Sequence, residues 1–382
     1  MHALRSLLPA LVALAAVACS TPDGTSTSTL PLAPSSALAP AGAVGQVYTA
    51  TNATTGNAIL AFDRGADGSL TASGSYATNG VGTGAGLGNQ GGVTLSGDAK
   101  SLFVVNAASD NVSVFAVRPN GTLELRGTWG SGGVGPVSVT ESHGLVYVLN
   151  AGSGNIAGFR LGAGGLTSIA NSVRPVSAAS AGAAQVQFDG TGRVLVVTER
   201  VTNRISTYAI DANGVAGAPN VVVSSGTTPF GFGITGGLLV VSEAFAGAPD
   251  GSAVSSYELG RQGGARVISA SVGTTETAAC WLVVTGNGRF AYAANAGSAS
   301  ITGYAIRRGA LALLDADGVT ASTDPGPTDV ALSVNSQFLY VLSNGGNSIR
   351  GFSVGAQGEL TPLTGAATGL PSALTCQLVV AM

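Results

Sequence analysis

The stretch VYVLNAGSGNIAGF, residues 146–159, decides the fold. An apolar run ends in Asn, a Gly/Ser-rich loop follows, and a second short run ends in an aromatic residue. The pattern recurs in VYTATNATTGNAILAF (47–62), LFVVNAASDNVSVF (102–115), VLVVTERVTNRISTY (194–208), LLVVSEAFAGAPDGSAVSSY (238–257), FAYAANAGSASITGY (290–304) and FLYVLSNGGNSIRGF (338–352). The seven copies start 55, 44, 48, 44, 52 and 48 residues apart. Polar turns such as RPNGTLEL and AQGELTPL lead into a further strand after most copies. Runs such as GGVTLS (91–96), PVSVT (136–140), AQVQF (184–188), FGFGIT (230–235), CWLVVT (280–285) and TDVALS (328–333) precede six of them. Each unit therefore carries four strand signals, and no long stretch keeps a convincing helical period.

A four-stranded unit of about 40–50 residues in tandem marks an all-β, seven-bladed β-propeller. Stacked blades bury inner strands on both faces, which explains unbroken runs such as LVV. Gly is 58 of 382 residues, about twice the usual share of roughly 7%. Small side chains of this kind let blades approach closely. The first unit, at 47, has no inner strand ahead of it. The tail TCQLVVAM (375–382) repeats ACWLVVTG (279–286), so it is expected to pair with the first unit and close the ring. Closure removes an exposed sheet edge. Cys280 and Cys376 then hold equivalent places two blades apart. That separation is on the order of 10 Å, beyond the roughly 7 Å limit for a disulfide, and buried free thiols are expected.

The N-terminus stands apart. Arg5 precedes the apolar run Leu7–Ala18, too short to span a bilayer core of about 30 Å as a helix, and Ala16-Val17-Ala18 ends in Cys19. Residues 1–18 read as a signal peptide. Cys19 stands where a bacterial lipoprotein is lipidated, although Ala16-Val17-Ala18 also fits ordinary signal cleavage. Residues 19–44 are the lipidated Cys and a Ser/Thr/Pro/Ala-rich linker, and 45–382 form the propeller. The chain is expected to be exported, periplasmic or cell-surface, monomeric, and in contact with membrane only through its anchor. Its net charge of −3, with 16 basic against 19 acidic residues, argues against nucleic acid as a partner.

Strand direction puts the end of each second strand and the loop entering each inner strand on one face. Asn52, Asn106, Asn150, Glu199, Glu243, Asn295 and Ser343 should therefore ring one mouth of the channel. Asn at a strand end is also good turn chemistry, since its side chain bonds nearby amides. Glu199 and Glu243 lie in adjacent blades and could serve as base and acid, or hold a divalent cation such as calcium with Asn oxygens. A surface ion pair with Arg174, Arg200 or Arg204 is the simpler reading. Glu276, Arg174, Phe230 and Trp281 are placed on the same face, Trp281 either lining the channel or packing between blades. Asp324 and Asp329 read as turn residues. His2 leaves with the signal, and His143 falls on the opposite face. A Ser-His-Asp triad or His-rich zinc site is not expected at that mouth. No phosphate-binding or dinucleotide motif is present.

The units resemble the lactonase-type seven-bladed propellers that include bacterial 6-phosphogluconolactonase and fungal carboxymuconate cyclase. The resemblance covers roughly residues 45–382 and is carried best by residues 188–208, 228–257 and 277–304. Phosphogluconolactonases of this type carry His-x-His-Ser-Val where this chain has Gly182-Ala183-Ala184-Gln185-Val186. Their Asp-Leu-Gly-x-Asp-Arg pattern corresponds to Glu199-Arg200-Val201-Thr202-Asn203-Arg204. The resemblance implies hydrolysis or cyclisation of a lactone or related small acid, with no cofactor required. Glu199 or Glu243 would activate water, Arg204 or Arg174 would hold an anionic group, and Asn106, Asn150, Asn295, Glu276, Phe230 and Trp281 would line the ligand. The alternative is a non-catalytic envelope scaffold that binds a protein partner or small ligand.

Overall fold

The computed structural model describes residues 42–371 and the strand 378–380. The expected signal peptide, lipidated Cys19, linker residues up to 41 and Cys376 lie outside the described residues.

Seven antiparallel four-stranded blades form the chain. Blade 1 comprises Gly45–Ala50, Ala58–Arg64, Leu70–Ala77 and, as its inner strand, Leu378–Val380. The inner strand lies antiparallel to the first, with Val47 opposite Val380 and Thr49 opposite Leu378. Blade 2 runs Val93–Leu95, Ser101–Asn106, Asn111–Val117 and Leu123–Gly130. Blade 3 begins with Pro136–Ser142, Leu145–Asn150 and Asn155–Gly162. Blade 4 runs Ala183–Phe188, Val194–Glu199, Arg204–Ala209 and Asn220–Val223. Blade 5 runs Pro229–Thr235, Leu238–Glu243, Ala253–Leu259 and Ala265–Gly273. Blade 6 begins with Ala279–Val284, Phe290–Asn295 and Ser300–Arg307, and blade 7 with Pro327–Leu332, Phe338–Ser343 and Ser348–Val354. In blades 3, 6 and 7 the outer strand is split into two short pieces. In blade 3, for example, Gly165–Ser168 and Arg174–Pro175 both pair with the third strand.

The core is distributed around the ring. Among the described residues, buried apolar side chains gather in seven clusters, one dominated by each blade junction. The 7–1 junction packs Val47, Leu60 and Phe62 against Tyr340, Leu342 and Ile349. The 2–3 junction packs Phe103, Val112 and Val114 against Val146, Val148 and Phe159. Every residue of Val194–Glu199 is buried, as every residue of Leu145–Asn150 is. That two-sided burial is why the second strands read as unbroken apolar runs.

Tyrosine hydroxyls tie the junctions. Tyr48 of blade 1 donates to Gly121 O of blade 2 at 2.6 Å. Tyr147 donates to Gly214 O at 2.8 Å, Tyr292 to Gly358 O at 2.9 Å and Tyr340 to Gly68 O at 2.8 Å, each in the next blade. The last of these joins blade 7 to blade 1. Tyr208 donates back to Pro175 O at 2.9 Å and Tyr304 to Val272 O at 3.0 Å. Tyr257 Oη accepts the Ser225 N–H at 2.9 Å.

The inner strands share a local irregularity. Their pairing with the second strand shifts near the start, between Pro136 and Ser138, Ala183 and Gln185, Pro229 and Phe232, Ala279 and Trp281, and Pro327 and Asp329. Such bulges re-aim side chains. Cys280 sits in one of them. It is disulfide-bonded, with a partner outside the described residues. The expected free thiol is thus corrected. The distance argument assumed regular strands, and the bulge takes Cys280 out of that register.

Burial pushes the phenols of Tyr48, Tyr208, Tyr292, Tyr304 and Tyr340 above their ordinary range. A raised folded value means that the unfolded chain loses these protons first. The stability they confer is full below about pH 10 and falls as pH climbs beyond it. Urea denaturation is expected to show a midpoint that drops steeply above pH 10, and Tyr340→Phe should lessen the slope.

Candidate functional site

The two faces of the ring differ. The upper face carries the second-strand ends and the loops that enter the inner strands. The lower face carries the turns between first and second strands.

On the upper face the channel is plugged. The linker from blade 1 to blade 2 crosses it instead of following the rim. Asn52 anchors that linker: its Nδ2 donates to Thr83 Oγ1 and Ala85 O, both at 2.9 Å, and its Oδ1 accepts the Thr83 N–H at 3.0 Å. Further on, Gln90 behaves as a strand residue through its side chain. Its Nε2 donates to Leu282 O at 3.0 Å, and its Oε1 accepts the Leu282 N–H at 3.1 Å, across 192 residues of sequence. The Gln90 N–H donates to Ala184 O of blade 4 at 3.1 Å. Asn89 donates to Val137 O of blade 3, and its own carbonyl accepts the Trp281 Nε1–H at 2.8 Å. Gly231 leaves room for this crossing. A Cβ there would stand 2.0 Å from Gln90 Oε1 and 2.7 Å from Cys280 O.

Phe230 and Trp281, expected to line a ligand, are both fully buried and stack edge to face at 5.3 Å beneath the plug. The Arg200 guanidinium lies 5.2 Å over the Phe230 ring. Trp281 therefore packs, the second of its two expected placements.

Nor do the two carboxylates face an open mouth. Glu199 is fully buried, and its oxygens accept from Ser177 N at 3.0 Å, Thr202 Oγ1 at 2.7 Å, Ser206 Oγ at 2.6 Å and Ser177 Oγ. Glu243, also fully buried, accepts from Gly226 N at 2.8 Å, Ser224 Oγ at 3.2 Å, and Ser255 and Ser271 Oγ at 2.7 Å. Among the described residues neither takes part in an ion pair. Neutral donors alone stabilise each charge, which suits an acceptor-only group withdrawn from water. Both latch the linker arriving from the preceding blade. A Cβ at Gly226 would meet Glu243 Oε2 at 2.3 Å, so that linker needs glycine.

The remaining expected residues serve the same latch or lie elsewhere. Asn106 accepts from Asn57 Nδ2 at 2.9 Å and Thr78 Oγ1 at 2.8 Å, and donates to Ser113 Oγ at 2.8 Å. Asn150 donates to Ser131 O at 3.1 Å, and Asn295 to Ser300 and Thr302 hydroxyls at 3.0 and 2.9 Å. Glu276 accepts from Ser300 Oγ at 2.6 Å. Arg204 stands opposite Glu199 in the hairpin register. Arg174 lies in the split outer strand of blade 3, with its guanidinium on the carbonyls of Asn171 and Val173 at 2.8 Å and Gly217 at 3.2 Å. Asn52, Asn106, Asn150, Glu199 and Glu243 thus hold inter-blade linkers, whereas Asn295 bonds within its own blade and the buried Ser343 Oγ has no hydrogen-bond partner among the described residues.

The open half of the channel is on the lower face. A cavity of about 930 Å³ is floored by Gln90 and Gly91 and walled by inner strands of blades 2 to 7. Gln185, Gln187, Thr140 and Asp329 supply polar groups inside, and His143 stands at the rim. Gln185 bridges the backbone of Phe232, accepting from its N–H at 2.8 Å and donating to its carbonyl at 3.0 Å. It also donates to Gln187 Oε1 at 3.1 Å. Among the described residues, no Lys or Arg lines this space. Glu141 at the rim is committed to the turn amides of Gly97 at 2.8 Å and Gly144 at 2.5 Å. Nor, among the described residues, do three His, Cys, Asp or Glu side chains gather to hold a metal ion. Sequence reasoning placed His143 on this face and passed over it. Asp329 read as a turn residue, yet it is a buried residue of the inner strand of blade 7.

No protein-family model matches the sequence, and no curated protein matches it. Solved structures do. A Bacteroides uniformis protein proposed to be a 6-phosphogluconolactonase is 18% identical, with a TM-score of 0.71 over 88% of this chain and 98% of its own. A periplasmic gluconolactonase of Pseudomonas aeruginosa is 17% identical, with a TM-score of 0.69 over 88% of this chain and 99% of its own. A protein from Lactobacillus plantarum is 16% identical, with a TM-score of 0.70 over 88% and 99%. The fold is that of these lactonase-like propellers. Where phosphogluconolactonases of this type carry a His-x-His-Ser motif, Gly182 cradles Val201, Ala184 is fully buried and Gln185 braces Phe232.

Two substitutions test the latch and the plug. Glu199→Gln turns an acceptor into a donor facing the Ser177 amide. It should cost about 1–3 kcal/mol of stability in denaturant titration and leave ligand binding in the lower cavity unchanged. Gly231→Ala should cost about 2–3 kcal/mol by forcing Gln90 off Leu282.

Proposed function

We propose that the protein is an exported lactonase-like propeller that takes a neutral, hydroxyl-rich lactone in the lower-face cavity. The cavity carries this reading: it is closed at one end, of small-molecule size, walled mainly by apolar inner-strand side chains with the polar groups of Gln185, Gln187, Thr140 and Asp329 among them, and, among the described residues, without a Lys or Arg to pair with a phosphate. Support for export comes from the N-terminal sequence and from the structural likeness to a periplasmic gluconolactonase of Pseudomonas aeruginosa. Cys19 is the proposed anchor point.

In this reading Asp329, which already accepts the Val330 N–H on Oδ1 at 2.8 Å, takes a proton from water in the cavity as the water oxygen attacks the lactone carbonyl. The ring C–O bond then breaks as Asp329 returns that proton to the departing ring oxygen, giving the hydroxy acid. The Gln187 amide and the Thr140 hydroxyl supply donors to the carbonyl oxygen. Glu199 and Glu243 have no part in this reading, because neither lines the lower-face cavity.

Calorimetry of residues 45–382 with glucono-1,5-lactone and with its 6-phosphate should show binding of the neutral compound and little of the anion. Gln187→Ala should weaken it about threefold to tenfold. Acid release in a pH-stat that is lost in Asp329→Asn, with binding kept, would establish turnover. Binding without acid release makes the chain a binding module, and no binding of any neutral lactone returns the scaffold reading.

A further inference from the structure

A second hollow of about 720 Å³ adjoins the cavity on the lower face. Ser142 and His143 line both, so the two spaces share one wall. Their chemistry is opposite. Where the cavity wall has no Lys or Arg among the described residues, the groove is lined by Arg160, Arg193 and Arg261. These come from three successive blades: the third strand of blade 3, the first turn of blade 4, and the outer turn of blade 5. All three are exposed. Arg160 is fixed in place, since its Nη2 donates to Asn213 O at 2.5 Å across the junction of blades 3 and 4. Among the described residues none of the three is in an ion pair. Asp211, the carboxylate that lines the groove, accepts the N–H groups of Asn213 at 2.9 Å and Val215 at 2.8 Å on its Oδ1, and is one acid against three arginines. The chain carries more acids than bases, 19 to 16, so this is a local excess of positive charge.

We infer that the groove is an anion subsite for the carboxylates of an acidic oligosaccharide that lies along it beside the mouth of the adjoining cavity. The inference rests on the cavity reading and extends it. A guanidinium fork matches a carboxylate in two parallel hydrogen bonds. Three forks spread over three blades make a track for several carboxylates. The wall between them is low, built from Ala209, Ala212, Gly192 and Gly214, which lets a sugar ring approach closely. The hollow is small for a folded partner, whose interface would cover about 800 Å² on each side. Three cations on a chain of net charge −3 do not make a nucleic-acid track.

Calorimetry with trigalacturonate tests this, with maltotriose as the neutral control and poly-glutamate as the acidic peptide control. Arg193→Gln and Arg261→Gln, both at exposed positions, should each weaken trigalacturonate binding about tenfold and leave maltotriose unaffected. Added salt should weaken the first and not the second. Unchanged trigalacturonate affinity in both variants overturns the inference. So does poly-glutamate that binds as tightly, since the groove would then respond to charge alone. Glucono-1,5-lactone binding without trigalacturonate binding removes the groove and keeps the cavity. Arginine-dependent trigalacturonate binding without lactone binding keeps the groove and removes the cavity.

Discussion

Close stacking of blades is the constraint on which the rest of the molecule depends. Small side chains let neighbouring sheets approach, and the approach strips water from every polar group at the junctions. Each such group must then find a partner across the gap. The tyrosine hydroxyls do so on turn carbonyls of the adjacent blade. Asn106, Asn150, Glu199 and Glu243 at the second-strand ends do so on the incoming linkers. Glu199 and Glu243 are the charged form of the same device, surrounded by hydroxyls and amides in place of a cation. Asn106 and Asn150 are its neutral form. A carboxylate accepts more bonds than an amide and donates none, so it suits a linker that presents several donors at once.

The plug decides which face can serve a ligand. A propeller channel is open at both ends unless something crosses it. Here Asn89 and Gln90 cross near the upper mouth and leave a blind cavity below. The site is then assembled from the later halves of inner strands and from the turns that follow them. Those turns carry His143 at the cavity rim and Arg193 in the groove beyond. In the proposed reading, a pocket without Lys or Arg among the described residues and a neighbouring groove with three arginines divide the labour between them.

Much of the fold was legible because its signals are local and repeated. The apolar runs ending in Asn or Glu, the turn residues and the spacing near 48 all recur within a single unit. The site was not legible for the opposite reason. Gln90 lies in a Gly-rich segment, GLGNQGG, that reads as an ordinary linker, and its partner Leu282 is 192 residues away. Without that contact, both channel mouths look alike, and the conspicuous carboxylates draw attention to the upper one. The bulge at Cys280 was equally hidden, since nothing in ACWLVV marks a break in register. Phe230 and Trp281 are fully buried, and the contact of Trp281 with Asn89 of the crossing segment could not be foreseen from the local sequence.

The bridge from Gln90 to Leu282 has a mechanical meaning as well. In a simple ring each blade is coupled to its two neighbours, and stability adds up link by link, as in other repeat proteins. The segment entering blade 2 is bonded instead to blades 3, 4 and 6 across the axis. It acts as a spoke. A blade that loosens strains elements on the far side of the ring, so local opening is discouraged and unfolding becomes more nearly all-or-none.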